Sequence, residues 1–253
     1  MSDLSTLQAG DNHYKAFVGP PLKYDLLGAL QFSLLAAAGL RSHHKLVDIG
    51  CGSLRVGKLL IPYLEKGNYF GLDPNQWLID EAIEKEIGPS LVELKAPEFN
   101  NSTDFEISAF GERFDFAIAQ SIFSHASGAQ IQTCLKEVCQ SLKPTGLFLA
   151  TFIWGKEDYT NDEWVYPGCV SYKPNTIQKW AWDTCGLKMQ TTDWPHPNGQ
   201  NWALFYFPGQ EEKVEKLAKF NMGQYQADVV AIPDQNVGLV DKVKSKMKGL
   251  LKQ

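Results

Sequence analysis

The chain has 253 residues, of which 44% are hydrophobic and 21% charged, a balance that excludes a disordered or coiled-coil protein and suits one α/β core. Its formal net charge of -5 excludes a global basic field of the kind that grips nucleic acid. No apolar run reaches the ~18 residues that a membrane-spanning helix needs, and the polar start, MSDLSTLQAG, does not read as a secretory signal.

Residues 1–19 are polar and glycine-bearing and read as a mobile arm. Pro20 and Pro21 then open a leucine-rich stretch, Leu22, Leu26, Leu27, Leu30, Leu34 and Leu35, whose spacing predicts a helix stopped by Gly39. KLVDIG (45–50) reads as a buried strand. Residues 53–66 read as a helix that Pro62 must kink or shorten. NYFGLD (68–73) is a second strand, 75–87 a second helix, LVELKAP (91–97) a third strand and FDFAIAQ (114–120) a fourth. Ser127 with Gln130 forms a capping box for a helix to about Leu142, and LFLATFIW (147–154) is the fifth strand. After a helix over 175–184, KMQTTDW (188–194) and NWALFYF (201–207) flank an Asn-Gly loop and read as antiparallel neighbours. The alternation predicts an α/β, Rossmann-like, doubly wound, mostly parallel seven-stranded sheet with an antiparallel terminal hairpin. Three parts follow: an arm and lid helix (1–40), a core (41–207) and a helical extension (208–253).

Asp48, Gly50, Cys51 and Gly52 follow the first strand and open a helix. Glycines let a ligand approach the backbone, and the helix start offers free amides. Arg55 stands where a dinucleotide fingerprint has glycine, and Asp48 repels a pyrophosphate but attracts an ammonium. Asp73, at the end of the second strand, can accept from the two hydroxyls of a ribose.

DIGCGSLRVGKLL, NYFGLDPN and FDFAIAQSIFSHAS, in that order and before a terminal hairpin, resemble the class I S-adenosylmethionine-dependent methyltransferase family over about residues 41–207. The resemblance implies S-adenosylmethionine as cofactor. It implies that Gly50 and Gly52 line the cofactor's methionine portion and that Asp73 binds its ribose. It places Asp104 and Phe105 at the adenine, and Gln120 and Ser121 at the mouth of the fourth strand near the transferred methyl. Leu54 departs from the family's third glycine, and Arg55 becomes a candidate for the cofactor's carboxylate.

His125 and His196 fall after strands at the expected ligand edge. Each is a candidate proton acceptor, or else an imidazole that bonds backbone and shapes its loop. His43 and His44 precede the first strand, at the other edge. His13 and Tyr14 in the arm are candidate substrate contacts. Six of the seven tryptophans lie between Trp154 and Trp202, and an irregular stretch, 155–174, follows the fifth strand. Trp154 and Trp164 are therefore candidate walls for a flat, apolar or cationic acceptor, or ordinary packing.

The expected reaction is methyl transfer to an oxygen or nitrogen of a small molecule, without nucleic acid. No metal site is expected from residue spacing. Two other readings stay open: a cofactor-binding scaffold without turnover, and a nicotinamide oxidoreductase. Five cysteines without a CxxC pair suit a cytoplasmic protein. LVDKVKSKMKGLLKQ (239–253) has the pattern of a basic amphipathic helix, a candidate for contact with a partner or a membrane surface.

Overall fold

A computed structural model describes residues 3–219. The basic amphipathic stretch at 239–253 lies outside the described residues.

Seven strands build one sheet: β1 (Leu46–Ile49), β2 (Tyr69–Leu72), β3 (Glu98–Asn100), β4 (Phe114–Ala119), β5 (Leu142–Phe152), β6 (Lys188–Thr192) and β7 (Asn201–Tyr206). Their order is β3-β2-β1-β4-β5-β7-β6. The first five run parallel, whereas β7 runs antiparallel to both β5 and β6. This is the doubly wound sheet with a terminal antiparallel pair that the pattern predicts. Every residue of β1 and of β2 is buried, as a strand covered on both faces requires. Alternate side chains feed two cores. Val47 and Ile49 join Phe70, Phe114, Phe123 and Phe148 on one face. Leu46 joins Leu34, Leu60, Phe116 and Trp202 on the other.

The helices are α1 (Tyr14–Phe17), α2 (Tyr24–Ala37), α3 (Gly57–Tyr63), α4 (Gln76–Ala82), α5 (Pro89–Lys95), α6 (Gly128–Ser141), α7 (Pro174–Cys185) and α8 (Glu211–Ala218). The Ser127–Gln130 capping box starts α6 with both of its reciprocal bonds, and Gly186 ends α7 in the left-handed region.

Four local expectations are corrected. LVELKAP is mostly helix α5, started by Pro89 and ended by a left-handed Ala96; the third strand is the next three residues, Glu98–Asn100. The helix expected from residue 53 starts only at Gly57, because 51–56 form a turn, and Pro62 is held inside its last turn. The leucines of this stretch do not share one face: in α2, Leu27, Leu34 and Leu35 are buried with Tyr24, Gly28 and Gln31 whereas Leu26 is exposed, and Leu22, in the turn before α2, is exposed as well. The arm is folded down, with Tyr14 and Ala16 buried.

Candidate functional site

The ends of β1, β2, β4 and β5 meet the 193–200 loop before β7 at one edge of the sheet, where open α/β sheets bind ligands. After β1 the chain turns sharply, and Gly50 (φ 71°) and Gly52 (φ 51°) take left-handed conformations. Gly50 and Cys51 both donate to the Leu72 carbonyl, at 2.6 and 3.1 Å, which ties this loop to the end of β2. A side chain on Gly50 would collide with Ile122, and one on Gly52 would meet Val18 Cγ1 at 2.7 Å. Leu54, which stands where a third glycine was expected, is itself left-handed (φ 55°). Cys51 is buried beside Asp48 and Asp73; burial and those carboxylates push its thiol well up, so it stays protonated.

Three charged groups frame the loop. Asp48 is buried and accepts from the Tyr69 hydroxyl at 2.8 Å. Burial pushes its carboxyl up to about 7, against the opposing pull of Tyr69 and Arg55. Asp73 accepts from the Gly52 amide at 3.0 Å on Oδ2, and from the Asn75 amide and side chain at 2.8 and 3.0 Å on Oδ1. A carboxylate has about four lone-pair sites, so Oδ2 keeps capacity for a further donor. Burial also raises Asp73, against these three bonds.

Arg55 is 9% exposed, donates through Nη1 to the Val18 carbonyl at 3.0 Å and through Nη2 to Gln120 Oε1, and leaves Nε buried without a partner. It forms no ion pair among the described residues. Burial brings it down to about 10, so it is a cation at neutral pH without a bonded carboxylate. Such a charge is costly until an anion meets it.

The mouth of β4 carries a neutral polar network. Gln120 Oε1 accepts from Gln31 of α2 at 2.9 Å as well as from Arg55. Gln120 Nε2 bonds Ser121 Oγ and, at 2.7 Å, His196 Nε2. Ser121 is left-handed (φ 61°), and its amide donates to Thr151 Oγ1 at 2.7 Å. Thr151 donates to Gln200 Oε1 at 2.6 Å, and Gln200 Nε2 donates to Ser121 Oγ at 3.0 Å and Ser124 Oγ at 3.3 Å. His196 Nδ1 accepts from the Asn198 and Gln200 amides, each at 3.4 Å, and burial takes the ring down to about 4, assisted by the charges of Arg55 and Lys23.

His125 stands further along the loop after β4. Its Nδ1 donates to the carbonyls of Val165 at 2.9 Å and Gly168 at 2.7 Å, which leaves Nε2 with the free lone pair. Burial lowers His125, against those two carbonyls, so it is neutral at neutral pH. Its ring packs on Tyr166 at 5.0 Å and on the part-exposed Trp164 at 5.7 Å. Val165 and Val170 donate back to the carbonyls of His125 and Ser124, each at 2.8 Å, strapping the 155–174 stretch to this loop. Trp154 lies parallel to Phe152 at 5.0 Å and pairs with Tyr172, at the base of the stretch.

The arm closes over the same edge. Tyr14 donates to Glu86 at 2.7 Å, Lys15 and Lys58 pair with Glu86 at 2.7 and 2.9 Å, and His13 caps α1 by accepting from the Lys15 amide. Phe17 packs edge-on to Trp77 at 5.2 Å, and the Tyr166 hydroxyl donates to the Phe17 carbonyl. The structure thus gathers Asp48, Gly50, Cys51, Gly52, Arg55, Asp73, Gln120, Ser121 and His196 at one edge, with His125 and Trp164 beside them. His13 Nδ1 caps the arm's own helix, and the Tyr14 hydroxyl ties the arm to Glu86. Asp104 is exposed after β3, and Phe105 (φ 57°) is buried in the core. Sequence reasoning missed Gln31, Thr151, Gln200 and Val18. Gln31 carried a signal, being the polar residue on the buried face of α2.

A family model described as a methyltransferase domain matches residues 47–148, the stretch that holds the glycine turn, Asp73 and the mouth of β4. Over these residues the chain is similar to methyltransferase domains. A ubiquinone biosynthesis O-methyltransferase of Methylobacterium sp. (strain 4-46) is 32% identical to this chain over 111 residues, 43% of this chain and 40% of that protein. The alignment thus spans well under half of that relative. An S-adenosylmethionine-dependent methyltransferase from Clostridium acetobutylicum ATCC 824 shares the fold with a TM-score of 0.53 at 14% identity, over 74% of this chain and 92% of that one. The magnesium protoporphyrin IX methyltransferase of Synechocystis PCC 6803, solved with bound S-adenosylmethionine, shares the methyltransferase fold with a TM-score of 0.53 at 16% identity, over 74% of this chain and 83% of that one. Among the described residues, no helix is long and apolar enough to cross a membrane.

Proposed function

We propose that the protein transfers a methyl group from S-adenosylmethionine to an oxygen or nitrogen of a small-molecule acceptor, in the cytoplasm. The observation that carries this is the charge arrangement around the glycine turn. A buried carboxyl (Asp48) suits the cofactor's ammonium, and an unpaired buried guanidinium (Arg55) suits its carboxylate. A second carboxylate with spare capacity (Asp73) suits its ribose hydroxyls. The residues present therefore fit the cofactor. Gly50, Cys51 and Gly52 give it backbone to lie against, while Asp104, exposed after β3, is left for the adenine's amine and Phe105 packs in the core beneath it. When bound, it supplies a methyl on a sulfonium, a strongly activated donor that leaves as a neutral thioether.

The chain's own task is then positioning, exclusion of water and handling of one proton. His125 takes the acceptor's proton at Nε2, since its Nδ1 is fixed by two carbonyls. His196 lies at the same edge, but the Asn198 and Gln200 amides bond its Nδ1 and Gln120 lies against its Nε2 at 2.7 Å, so neither nitrogen is open to the acceptor. Trp164, beside His125, and Trp154 at the base of the stretch supply an apolar wall for the acceptor. His13 and Tyr14 act on the substrate side by holding the arm shut. The O-methyltransferase relative and the net charge of -5 support a small acceptor over nucleic acid.

The test is transfer of radiolabelled methyl from S-adenosylmethionine into a fractionated cell extract. Label in the small-molecule fraction, reduced at least tenfold by His125→Gln, is expected. Label confined to RNA or protein would contradict the acceptor class, and tight cofactor binding with no label anywhere would favour the scaffold reading.

A further inference from the structure

An amide side chain has two acceptor lone pairs and two N–H donors. All four of Gln120's are spent inside the protein: Gln31 and Arg55 fill Oε1, and Ser121 and His196 fill Nε2. Gln120 is 5% exposed and has nothing left to offer a ligand. Its position at the mouth of β4 nevertheless places it against Arg55, a buried cation that makes no ion pair among the described residues.

We propose that Gln120 is a positioning residue that holds the Arg55 guanidinium in place while leaving its charge uncancelled, so that Arg55 can receive the carboxylate of the amino-acid portion of the cofactor. This rests on the reading of Arg55 as the cofactor's carboxylate partner. The chemistry of the amide is what matters. A glutamate at 120 would reach Arg55 equally well, but it would form an ion pair and neutralise the charge that attracts the ligand carboxylate. An amide accepts one guanidinium hydrogen bond without supplying a counter-charge. The Val18 carbonyl takes a second, also without charge. Of the five donors of a guanidinium, three stay available, Nε among them. Gln31 completes the device. It fixes Gln120 from α2, and α2 is seated on the same loop because Gly28 packs directly on the Arg55 carbonyl.

Two ligands separate this role from a merely structural one. S-adenosylhomocysteine carries the carboxylate; 5′-methylthioadenosine has the same nucleoside thioether without the amino-acid portion. Calorimetry on wild type, Gln120→Glu and Arg55→Ala is expected to show S-adenosylhomocysteine weakened at least tenfold in both variants. Affinity for 5′-methylthioadenosine should stay within twofold of wild type. A Gln120→Glu variant that loses both ligands alike, or neither, overturns the proposal. A double-mutant cycle on S-adenosylhomocysteine alone gives a second reading. Gln120→Glu is expected to have no further effect once Arg55 is alanine, and an undiminished effect there would also overturn it. If Arg55→Ala left S-adenosylhomocysteine affinity unchanged, the carboxylate reading of Arg55 itself would be at fault.

Discussion

Leu54 sits in the left-handed region with its side chain fully buried, two demands that pull against each other. The conformation costs about 1–2 kcal/mol in a residue with a Cβ, whereas truncating a buried leucine costs about 3–5 kcal/mol. Packing wins. Leu54→Gly should therefore lower unfolding stability in urea by about 2 kcal/mol, the difference of those effects, although glycine matches the backbone better. Asp48 carries a pH dependence. Its folded-state value is raised from 3.8 to about 7, so its contribution to stability is full below 3.8 and is lost as pH rises to about 7. Binding of an ammonium runs the other way, because only the carboxylate attracts it. S-adenosylhomocysteine affinity should fall about tenfold between pH 8 and pH 6, as a group titrating near 7 loses its charge. Asp48→Asn should flatten that profile; a profile equally steep in the variant would remove Asp48 as its cause.

At the level of elements, α2 depends on Gly28. A methyl there would press into the Arg55 carbonyl, a backbone atom that cannot swing away. Gly28→Ala should cost about 1–3 kcal/mol as overpacking. It should also weaken cofactor binding, since Gln31 would move with the helix. A variant with normal melting and normal affinity would show that α2 adjusts freely. Most elements were legible in the sequence, because the central strands are continuous apolar runs and the capping box of α6 is a local signal. The third strand was not. Its three residues form a run too short for alternation to register, while the apolar residues of LVELKAP mimic a strand until Pro89 and the left-handed Ala96 are seen to bound a helix. The glycine turn, Asp73 and the two histidines could be placed by the strands they follow. The glutamine network could not, because Gln31, Gln120 and Gln200 lie 89 and 80 positions apart in the chain and become neighbours only through the sheet.

Across the whole molecule, the arm joins the two halves of the site. Val18 bonds Arg55 on the cofactor side, and Phe17 accepts from Tyr166 on the acceptor side. Its anchor is Glu86. Burial opposes ionisation there, yet Lys15, Lys58 and the Tyr14 hydroxyl take Glu86 down to about 2. That depressed value means the anchor's stabilisation is present above the ordinary glutamate range and is lost as pH falls through about 2. Glu86→Gln should raise hydrogen exchange in residues 10–19 while leaving β1 and β4 protected; unchanged exchange in the arm would show that its ring contacts suffice. All of this presumes the cofactor that the glycine turn, Asp48 and Asp73 are arranged to hold. The most direct measurement is calorimetric titration of the wild type and Asp73→Ala with S-adenosylhomocysteine. Micromolar binding that weakens tenfold or more in the variant, about 1.4 kcal/mol, is expected. A folded wild type that binds nothing, or a variant that binds as well as wild type, would contradict it.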